Sequence, residues 1–351
     1  MIPAARAAAP GAGGDLPTGA GYAPCHHGEI LQGVFLDGDG RRCAGLVTLP
    51  MAGPGSSAEF VRRPGTAPEA LTVVPAGRTK AARAAALAVA ECAERAGRPP
   101  CGGELRLSGD IPVGLGMGSS TSDVIAAVRA VADSYGMRPA PGTVARLAVR
   151  AESACDPLML DGRPVLFAQR EGRVLEVLGP ALPPLVVVGC ALGGGAPVDT
   201  LSLPVREPGE ADADDVRACE RMRTRLRRAV ATGDVQLLGQ VATASARRGQ
   251  RVLGHPEFDA LTAIARRVGA AGVQIAHSGA VAGVLFDPAV PGLRHRVRSC
   301  LRALDVHGIP ATRTFTTFTT TKEFLNGPAH RGVDRPAGPD TSRRPARLPA
   351  L

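Results

Sequence analysis

The sequence predicts an α+β protein built as two lobes, with the boundary near residue 183. Short alternating strand patterns, some joined by hairpin turns, are mixed with Ala-rich helical stretches, and this mixture is typical of the α+β class. The pattern resets in the Pro-rich segment 180–184, where an apolar β-branched strand over 185–190 opens a new series of elements. We therefore expect an N-terminal domain over 21–182 and a C-terminal domain over 183–325.

The elements of the N-terminal domain follow from local signals. An Asp-Gly-Asp-Gly turn at 37–40 separates two short strands. The stretch 79–96 is rich in Ala, contains no Gly or Pro and is followed by Gly97, so it predicts a helix. The segment 50–68 carries several Gly and Pro residues and is expected to be irregular. The predicted strands are 34–36, 45–49, 70–74, 102–111, 163–169 and 173–178, and the predicted helices are 79–96, 119–135 and 143–154.

The elements of the C-terminal domain are predicted in the same way. A run of three glycines at 193–195 ends the strand over 185–190. The segment 272–286 is rich in small and apolar residues and is expected to contain strand, and a Thr- and Phe-rich strand over 312–320 closes the domain. The predicted helices are 212–231, 235–250, 256–268 and 292–304.

Both ends of the chain are expected to be disordered. Residues 1–20 are rich in Ala, Gly and Pro and lack the apolar run of a signal peptide. Residues 326–351 are rich in Pro, Arg and Gly. No apolar run approaches the roughly 20 residues that a membrane-spanning helix needs, so we expect no membrane partner.

Charge and cysteine content restrict the class of protein. The formal charge is +9, and residues 217–228 alone carry six Arg against one Glu. We interpret that cluster as a solvated helix face, because no aromatic residues alternate with the arginines as a nucleic-acid surface requires. The eight cysteines show no Cys-x-x-Cys spacing. This spacing argues against a zinc site and favours reduced thiols in a cytoplasmic protein.

The strongest functional signal is the segment 111–123, Ile-Pro-Val-Gly-Leu-Gly-Met-Gly-Ser-Ser-Thr-Ser-Asp, between a strand pattern and a helix pattern. Glycines let the backbone approach a ligand, and a helix start offers N–H groups at the positive end of its dipole, so the segment predicts a phosphate cradle. The serine hydroxyls and Asp123 are placed to cap the helix, contact phosphate or hold a metal. It is neither a Walker loop nor a convincing dinucleotide fingerprint. The alternative is a flexible turn with a serine cap.

Two carboxylates form a second candidate feature. Glu152 and Asp156 are four residues apart at a predicted helix end, where both can face one side. One carboxylate suits Mg²⁺, which prefers oxygen ligands, and the other suits acceptance of a proton from an attacking hydroxyl. The alternative is an exposed acidic helix end that Pro157 terminates.

Two more segments combine glycines with polar side chains. Residues 24–33, Pro-Cys-His-His-Gly-Glu-Ile-Leu-Gln-Gly, predict a tight turn, but Cys25, His26 and His27 are too close in sequence to form a metal site by themselves. Residues 277–283, His-Ser-Gly-Ala-Val-Ala-Gly, run from a strand into small residues, as if a backbone or ligand approached closely. A tightly packed β-turn is the alternative for that segment.

Taken in chain order, these segments resemble the motifs of the GHMP kinases, a superfamily that includes galactokinase, homoserine kinase and mevalonate kinase. The glycine-rich segment is similar to Pro-x-x-x-Gly-Leu-Gly-Ser-Ser-Ala, with Met117 for the usual Leu and Thr121 for the usual Ala. Its Gly-Met-Gly-Ser-Ser-Thr-Ser-Asp run looks most like the L-threonine kinases of cobalamin biosynthesis. His26 and His27 depart from that branch, which has Cys at the position of His27. The resemblance covers roughly residues 22–320.

The resemblance implies an N-terminal domain like domain 2 of ribosomal protein S5, a ferredoxin-like C-terminal domain and phosphorylation of L-threonine by ATP with Mg²⁺. It implies Asp156 as the catalytic base, with Ser120 and Glu152 as ligands of the metal. The residues implied for ATP are Pro112, Gly114, Gly116, Met117, Gly118, Ser119, Ser120, Thr121, Ser278 and Gly279. Those implied for the acceptor are His27, Gly28, Glu29, Gln32 and His277.

Several alternatives stay open at this stage. One alternative changes the acceptor to homoserine, serine or a hydroxy amino acid of secondary metabolism. Another gives Asp156 the role of orienting the substrate, because homoserine kinases manage without such a base. His277 is alternatively a packing residue. A third hypothesis is a non-catalytic descendant that binds a nucleotide or nucleic acid, although the intact Ser119, Ser120 and Asp156 weigh against it. The sequence does not give the oligomeric state, and a homodimer is one outcome.

Overall fold

The computed structural model describes residues 17–109, 118–193, 208–277 and 279–317. Within these ranges the protein has the α+β architecture that the sequence predicts. The strands are β1 (Thr18–Leu36), β2 (Arg42–Arg63), β3 (Leu71–Val74), β4 (Gly102–Gly109), β5 (Val165–Ala168), β6 (Arg173–Val177), β7 (Val186–Ala191), β8 (Gly272–Ile275), β9 (Val281–Phe286) and β10 (Ala311–Thr316). The helices are α1 (Thr79–Arg95), α2 (Ser119–Ser134), α3 (Pro141–Glu152), α4 (Ala213–Thr232), α5 (Val235–Leu253), α6 (Glu257–Arg267) and α7 (Leu293–Val306).

The described strands form one mixed sheet in the order β10-β7-β9-β8-β1-β2-β4-β3, with the β5–β6 hairpin attached to β2. The pairs are antiparallel except for β3 with β4, which is parallel. The sheet passes from its N-terminal to its C-terminal strands at a single pairing, Glu29 of β1 with Ile275 of β8. The predicted domain boundary at residue 183 falls between β6 and β7 and stays a prediction.

The first two strands are much longer than the sequence predicts. The prediction of an irregular segment over 50–68 is wrong as far as Arg63, because β2 continues to that residue. Its second half is held by ladders on both sides, from β1 and from β4. Likewise β1 begins at Thr18, inside the stretch expected to be disordered, and residues 1–16 lie outside the described ranges. Long-range pairing, which local residue patterns do not report, explains both differences.

Most helices lie where the sequence predicts them, but the end of α3 differs. The helix predicted over 143–154 ends at Glu152, because Ser153 takes a left-handed conformation with φ +71° and its N–H bonds to the Val149 carbonyl. Asp156 is therefore outside the helix. The prediction that Glu152 and Asp156 share one helical face is wrong in its geometry, although both side chains reach the same region.

Three hydrophobic clusters hold the helices against the sheet. The first joins α1, α2 and α3 to β1, β2 and β4, the second joins α4 and α5 to β1 and neighbouring strands, and the third joins α6 and α7 to β7, β8 and β9. Helix α2 is the most enclosed, with twelve of its residues buried, including the polar Thr121, Ser122 and Asp123. The start of α2 is thus fixed firmly between the sheet and two other helices.

Two global predictions concern the membrane and the thiols. Within the described residues, every helix is too short or too polar to serve as a membrane-spanning segment. All eight cysteines are free thiols and all are buried, as the sequence predicts. The basic cluster of α4 is partly neutralised by neighbouring acids, since Arg223 and Arg227 both pair with Glu176 of β6.

Candidate active site

The site is organised around Gly118 and the first turn of α2. Gly118 is the N-cap residue, with φ +69°, and no side chain caps this helix start. A Cβ at this position would lie 2.4 Å from the His26 ring and 3.4 Å from Asp156 Oδ2. Glycine is therefore required here for both its backbone conformation and its space. The uncapped N–H groups of Ser119, Ser120 and Thr121 begin the helix beside these two side chains, which is the geometry of an anion site.

Glu152 accepts hydrogen bonds from the same turn of α2. The Ser120 hydroxyl donates to Oε2 at 2.9 Å and the Thr121 hydroxyl donates to Oε1 at 2.8 Å. Lys80 Nζ of α1 lies 3.7 Å from Oε2. Burial raises the pKa of Glu152 to about 7, against the opposing effects of the two hydroxyls and Lys80. The carboxylate and the Ser120 oxygen form a set of hard oxygen ligands next to the helix start.

Asp156 faces a different partner. The His26 ring donates from Nε2 to Asp156 Oδ2 at 3.0 Å. Burial alone lowers the pKa of His26, but the charge and hydrogen bond of Asp156 outweigh that effect and, with Glu29, raise it to about 9. Burial alone raises the pKa of Asp156, and His26 outweighs it, so the net shift is downward. Asp156 is thus an ionised carboxylate beside the start of α2.

The segment that carries His26 is the irregular part of β1. The β1–β2 register shifts three times between Pro24 and Leu31, and Gly28 has φ +71°. Such bulges re-aim side chains and occur often beside active sites. Here they turn His26 towards Asp156 and leave Glu29 behind it, with Glu29 Oε1 3.8 Å from His26 Nδ1. Burial raises the pKa of Glu29 to about 8.

His27 points away from this cluster. Its ring is 1% exposed, packs on Phe315 and has Nδ1 2.7 Å from Gln274 Nε2. Burial lowers its pKa to about 3, so the ring is neutral. This enclosed position argues against the predicted direct contact of His27 with an acceptor. Gly28 and Glu29, which are also predicted to contact the acceptor substrate, are buried as well.

Gln32 and His277, both predicted to contact the acceptor, come together from β1 and the turn after β8. His277 Nδ1 lies 2.9 Å from Gln32 Oε1. Both line a cavity of about 300 Å³ that also contains Arg170, Arg248 and Arg251. Asp215, which lines it too, pairs with Arg248 and Arg251. Three arginines against one aspartate leave this lining with an excess of two positive charges.

A second cavity, of about 160 Å³, lies next to the α2 start. Its lining includes Gly109, which precedes the glycine-rich segment, Ser119 and Asp123 within that segment, and Arg78. Arg78 Nη1 is 3.0 Å from Asp123 Oδ2, and the Ser56 hydroxyl donates to the same carboxylate. Asp123 therefore does not cap α2, which corrects one of its three predicted roles. It holds Arg78 beside the position where the sequence predicts phosphates.

The described residues fit ATP and Mg²⁺ by the chemistry of their donors. Uncapped N–H groups at the start of α2 and the guanidinium of Arg78 suit phosphate oxygens. The carboxylate of Glu152 and the hydroxyl of Ser120 suit a hard divalent cation. The buried Glu152 has one lysine nearby, Lys80 at 3.7 Å, so a cation bound here would add the charge compensation that this carboxylate lacks at close range.

Some predicted ligand residues lie outside the described ranges. They are Pro112, Gly114, Gly116, Met117 and Ser278. Their roles stay predictions. Gly279 is described, with φ +79°, and a Cβ there would lie 2.4 Å from His255 Nε2, so it fits the close approach that the sequence indicates.

Sequence reasoning missed four features of the site: Ser56, Arg78, Lys80 and the pairing of His26 with Asp156. A compositional signal was present for one of them. Lys80 and Lys322 are the only lysines among 41 basic residues, so a lysine at a helix start is unusual in this arginine-biased chain. The other three depend on contacts between distant segments, and no local pattern marks them.

Comparison with known proteins gives two matches to family profiles. A profile described as the GHMP kinases N terminal domain matches residues 81–158, which include most of α1, all of α2 and Asp156. A profile described as GHMP kinases C terminal matches residues 226–303. These two profiles occur in the order that the sequence motifs predict.

Two characterised relatives share part of the chain. A homoserine kinase of Moorella thermoacetica is 29% identical over 212 residues, which are 59% of this chain and 69% of that protein. An L-threonine kinase of Citrobacter freundii is 29% identical over 178 residues, which are 50% of this chain and 60% of that protein. The match therefore spans less than two thirds of the length of the L-threonine kinase.

The fold has relatives among solved structures. A homoserine kinase from Cytophaga hutchinsonii superposes with a TM-score of 0.59 at 16% identity, covering 86% of this chain and 94% of that chain. At this identity the likeness concerns the fold alone.

Proposed function

We propose that this chain, which belongs to the GHMP kinase superfamily and is a phosphotransferase acting on a hydroxyl group, phosphorylates the side-chain hydroxyl of L-threonine with ATP and Mg²⁺. The observation that carries the proposal is the position of Asp156. It is an ionised carboxylate, one fifth exposed, beside the uncapped start of α2. A proton acceptor next to a phosphate-binding helix start is what transfer to a hydroxyl requires.

The proposed roles divide the site by chemistry. The backbone N–H groups of the glycine-rich segment and the first turn of α2 bind the triphosphate, with Ser278 and Gly279 beside the transferring group. Ser120 and Glu152 hold Mg²⁺, which when bound neutralises charge on the phosphate oxygens. Asp156 orients the acceptor hydroxyl and takes its proton. Most of the rate then comes from positioning and charge neutralisation.

An amino acid as acceptor is supported by the arginine-lined cavity next to His277. A carboxylate group on the acceptor matches the excess positive charge of Arg170, Arg248 and Arg251. The volume of about 300 Å³ is at the small end of the usual range for metabolite pockets, about 300–1,000 Å³.

The second candidate keeps the reaction and changes the acceptor to homoserine, serine or another hydroxy amino acid. It is favoured by the Moorella homoserine kinase, which aligns over more residues than the L-threonine kinase does. A role in cobalamin biosynthesis is part of the L-threonine proposal, and it is withdrawn if L-threonine is not the acceptor.

The cellular location and the oligomeric state of the enzyme are also proposals. A cytoplasmic enzyme is supported by the eight free thiols. A homodimer stays a prediction, because it rests on no contact in the structure.

The test is ADP release from Mg-ATP with L-threonine, L-homoserine, L-serine and no acceptor, for the wild type and Asp156→Asn. Turnover with L-threonine well above the other acceptors, lost in the variant, supports the main proposal. Turnover that prefers another acceptor replaces the substrate and keeps the reaction. The absence of turnover with every hydroxy amino acid, while ATP still binds, contradicts an amino acid acceptor.

A further inference from the structure

The imidazole of His26 lies between two carboxylates. Its Nε2 is 3.0 Å from Asp156 Oδ2, and its Nδ1 is 3.3 Å from the Gly28 carbonyl oxygen and 3.8 Å from Glu29 Oε1. The Gly28 carbonyl oxygen and the ionised Asp156 are both hydrogen-bond acceptors, one at each ring nitrogen. Only the imidazolium form, with a proton on each nitrogen, donates in both directions at once. The geometry alone thus favours a positively charged ring.

The three side chains differ in their access to solvent. The Asp156 side chain is 20% exposed, whereas those of His26 and Glu29 are 3% and 2% exposed. Only Asp156 is therefore open to an acceptor molecule. His26 and Glu29 lie behind it, and any effect they have on the reaction passes through Asp156.

The backbone around the ring is built to hold it in place. Gly118 approaches the ring so closely that a Cβ would lie 2.5 Å from His26 Nε2. Gly28, in the left-handed region, directs its carbonyl oxygen to Nδ1 from the other side. Two glycines with positive φ thus leave room for one orientation of the ring, between the phosphate-binding segment and the bulge of β1.

We infer that His26, held by Glu29 and the Gly28 carbonyl, is a positioning residue that keeps Asp156 ionised and oriented towards the acceptor hydroxyl. This inference rests on the proposed function for its catalytic consequence. In the step itself, the acceptor oxygen forms a bond to the γ-phosphorus while the bond from that phosphorus to the ADP oxygen breaks. The hydroxyl proton moves to Asp156, the electron pair of the broken bond leaves with ADP, and His26 keeps both of its protons.

A different use of the same residues is metal binding. One ligand atom each from His26, Glu29 and Asp156 lies within 4.8 Å of the others, which is compact enough for a metal ion. A metal ligand must be a neutral imidazole with a free lone pair, however, and here both ring nitrogens face acceptors. The two hypotheses therefore predict opposite charge states of one ring.

The surrounding charges do not change this conclusion. The charged and titratable groups around the cluster are Glu29 on β1, Glu152 at the end of α3, Asp156 after it, the neutral His27 next in the chain, and His277 across the site. Asp156 favours the protonated ring most strongly, Glu29 adds to this effect where it is ionised, and the neutral His27 ring brings no opposing charge.

The first experiment reads the charge of the ring without any need for turnover. Histidine ring ¹⁵N chemical shifts are followed between about pH 5 and about pH 10 in the wild type, with His26→Asn to assign the signal. We expect His26 to stay protonated on both nitrogens at pH 7.5. A neutral ring at that pH overturns the inference. A Zn²⁺ or Mn²⁺ complex at micromolar metal that disappears in His26→Asn also overturns it.

The second experiment tests the consequence for Asp156. In His26→Asn we expect kcat near pH 7 to fall by about 10–100-fold, KM for both substrates to stay within about threefold, and the acidic limb of the kcat profile to move up by about one pH unit or more. Glu29→Gln, which keeps the shape of the side chain, leaves the acidic limb unmoved, because burial raises the pKa of Glu29 to about 8 and this carboxyl is already protonated across that limb. His295→Asn, on the exposed side of α7, is the control and leaves the profile unchanged.

The outcomes separate the two proposals. A changed KM with an unmoved acidic limb overturns the positioning role. If no acceptor gives turnover, the proposed function fails, and the ring titration still decides the charge state of His26. Where His26→Asn does not fold, His26→Gln carries the kinetic test.

Discussion

Glu152 and Asp156 lie four residues apart in the chain, yet the structure gives them opposite environments. Glu152 accepts hydrogen bonds from two hydroxyl groups of α2, and Lys80 Nζ lies 3.7 Å from its carboxylate. Asp156 accepts from a charged imidazole at 3.0 Å. Burial raises the pKa of Glu152 to about 7, whereas the charge of His26 lowers the pKa of Asp156 in spite of burial.

This difference shows how one short segment supplies two chemistries. Groups of the same type take separate roles when their neighbours push their pKa values apart. A carboxylate that accepts hydrogen bonds from hydroxyl groups and has little positive charge close to it is suited to binding a cation. One that an imidazolium keeps ionised is available to accept the hydroxyl proton at neutral pH. The predictions below test this division.

The largest expected effect is that of Asp156→Asn, which removes the proton acceptor and keeps the side-chain shape. We expect kcat to fall by about 10²–10⁴-fold and KM for ATP to change by less than about threefold, measured by steady-state ADP release. Asp161→Asn, whose side chain is 78% exposed, is the matched control and keeps its activity. A loss of less than about tenfold would instead assign Asp156 to orienting the acceptor.

Glu152→Gln should act on the metal rather than on the proton. We expect the affinity for Mg²⁺ to fall by about 10–100-fold, because a neutral amide replaces an anionic ligand, and kcat to recover substantially at high Mg²⁺. Titration of activity with Mg²⁺ at fixed ATP measures this. Glu91→Gln on α1, a carboxylate that pairs with Arg95 and Arg146, is the control. Equal losses at every Mg²⁺ concentration would contradict a metal role.

The two hydroxyls that hold Glu152 should differ in importance. Ser120→Ala removes a predicted ligand of Mg²⁺ together with a hydrogen bond, whereas Thr121→Val removes only a hydrogen bond and keeps the shape. We expect Mg²⁺ affinity to fall by about tenfold in the first and by about two- to threefold in the second. The same Mg²⁺ titration compares them, and a larger loss in Thr121→Val would remove Ser120 from the metal site.

The smallest effect concerns stability. The pKa of His26 is raised from 6.5 to about 9 in the folded protein, so its stabilising contribution is complete below pH 6.5 and is lost as the pH rises through 9. We expect the difference in Tm between wild type and His26→Asn to be largest at pH 6.5 and to narrow towards pH 9. Thermal unfolding at several pH values measures it, with His295→Asn as the control. A difference that does not depend on pH would show that His26 contributes packing alone.

Much of the fold could be predicted because its signals are local. Helix α1 and the strands β3 and β4 lie close to their predicted bounds, since Ala content, terminal glycines and residue alternation act over a few neighbours. The long β2 and the early start of β1 could not be predicted, because ladder pairing with strands distant in the chain holds them. The same limit hid Lys80, which α1 brings to Glu152 from 72 positions away in the chain.

The sequence by itself determined the glycine-rich segment, the helix that follows it and the order of the three motifs, because these depend on residue types and short spacings. Only the tertiary structure decided which side chains meet. His26 reaches Asp156 across 130 residues because β1 bulges and Gly118 leaves room for the ring. The charge state of each carboxylate depends on such neighbours and on burial. It is therefore a property of the folded chain and not of its residue pattern.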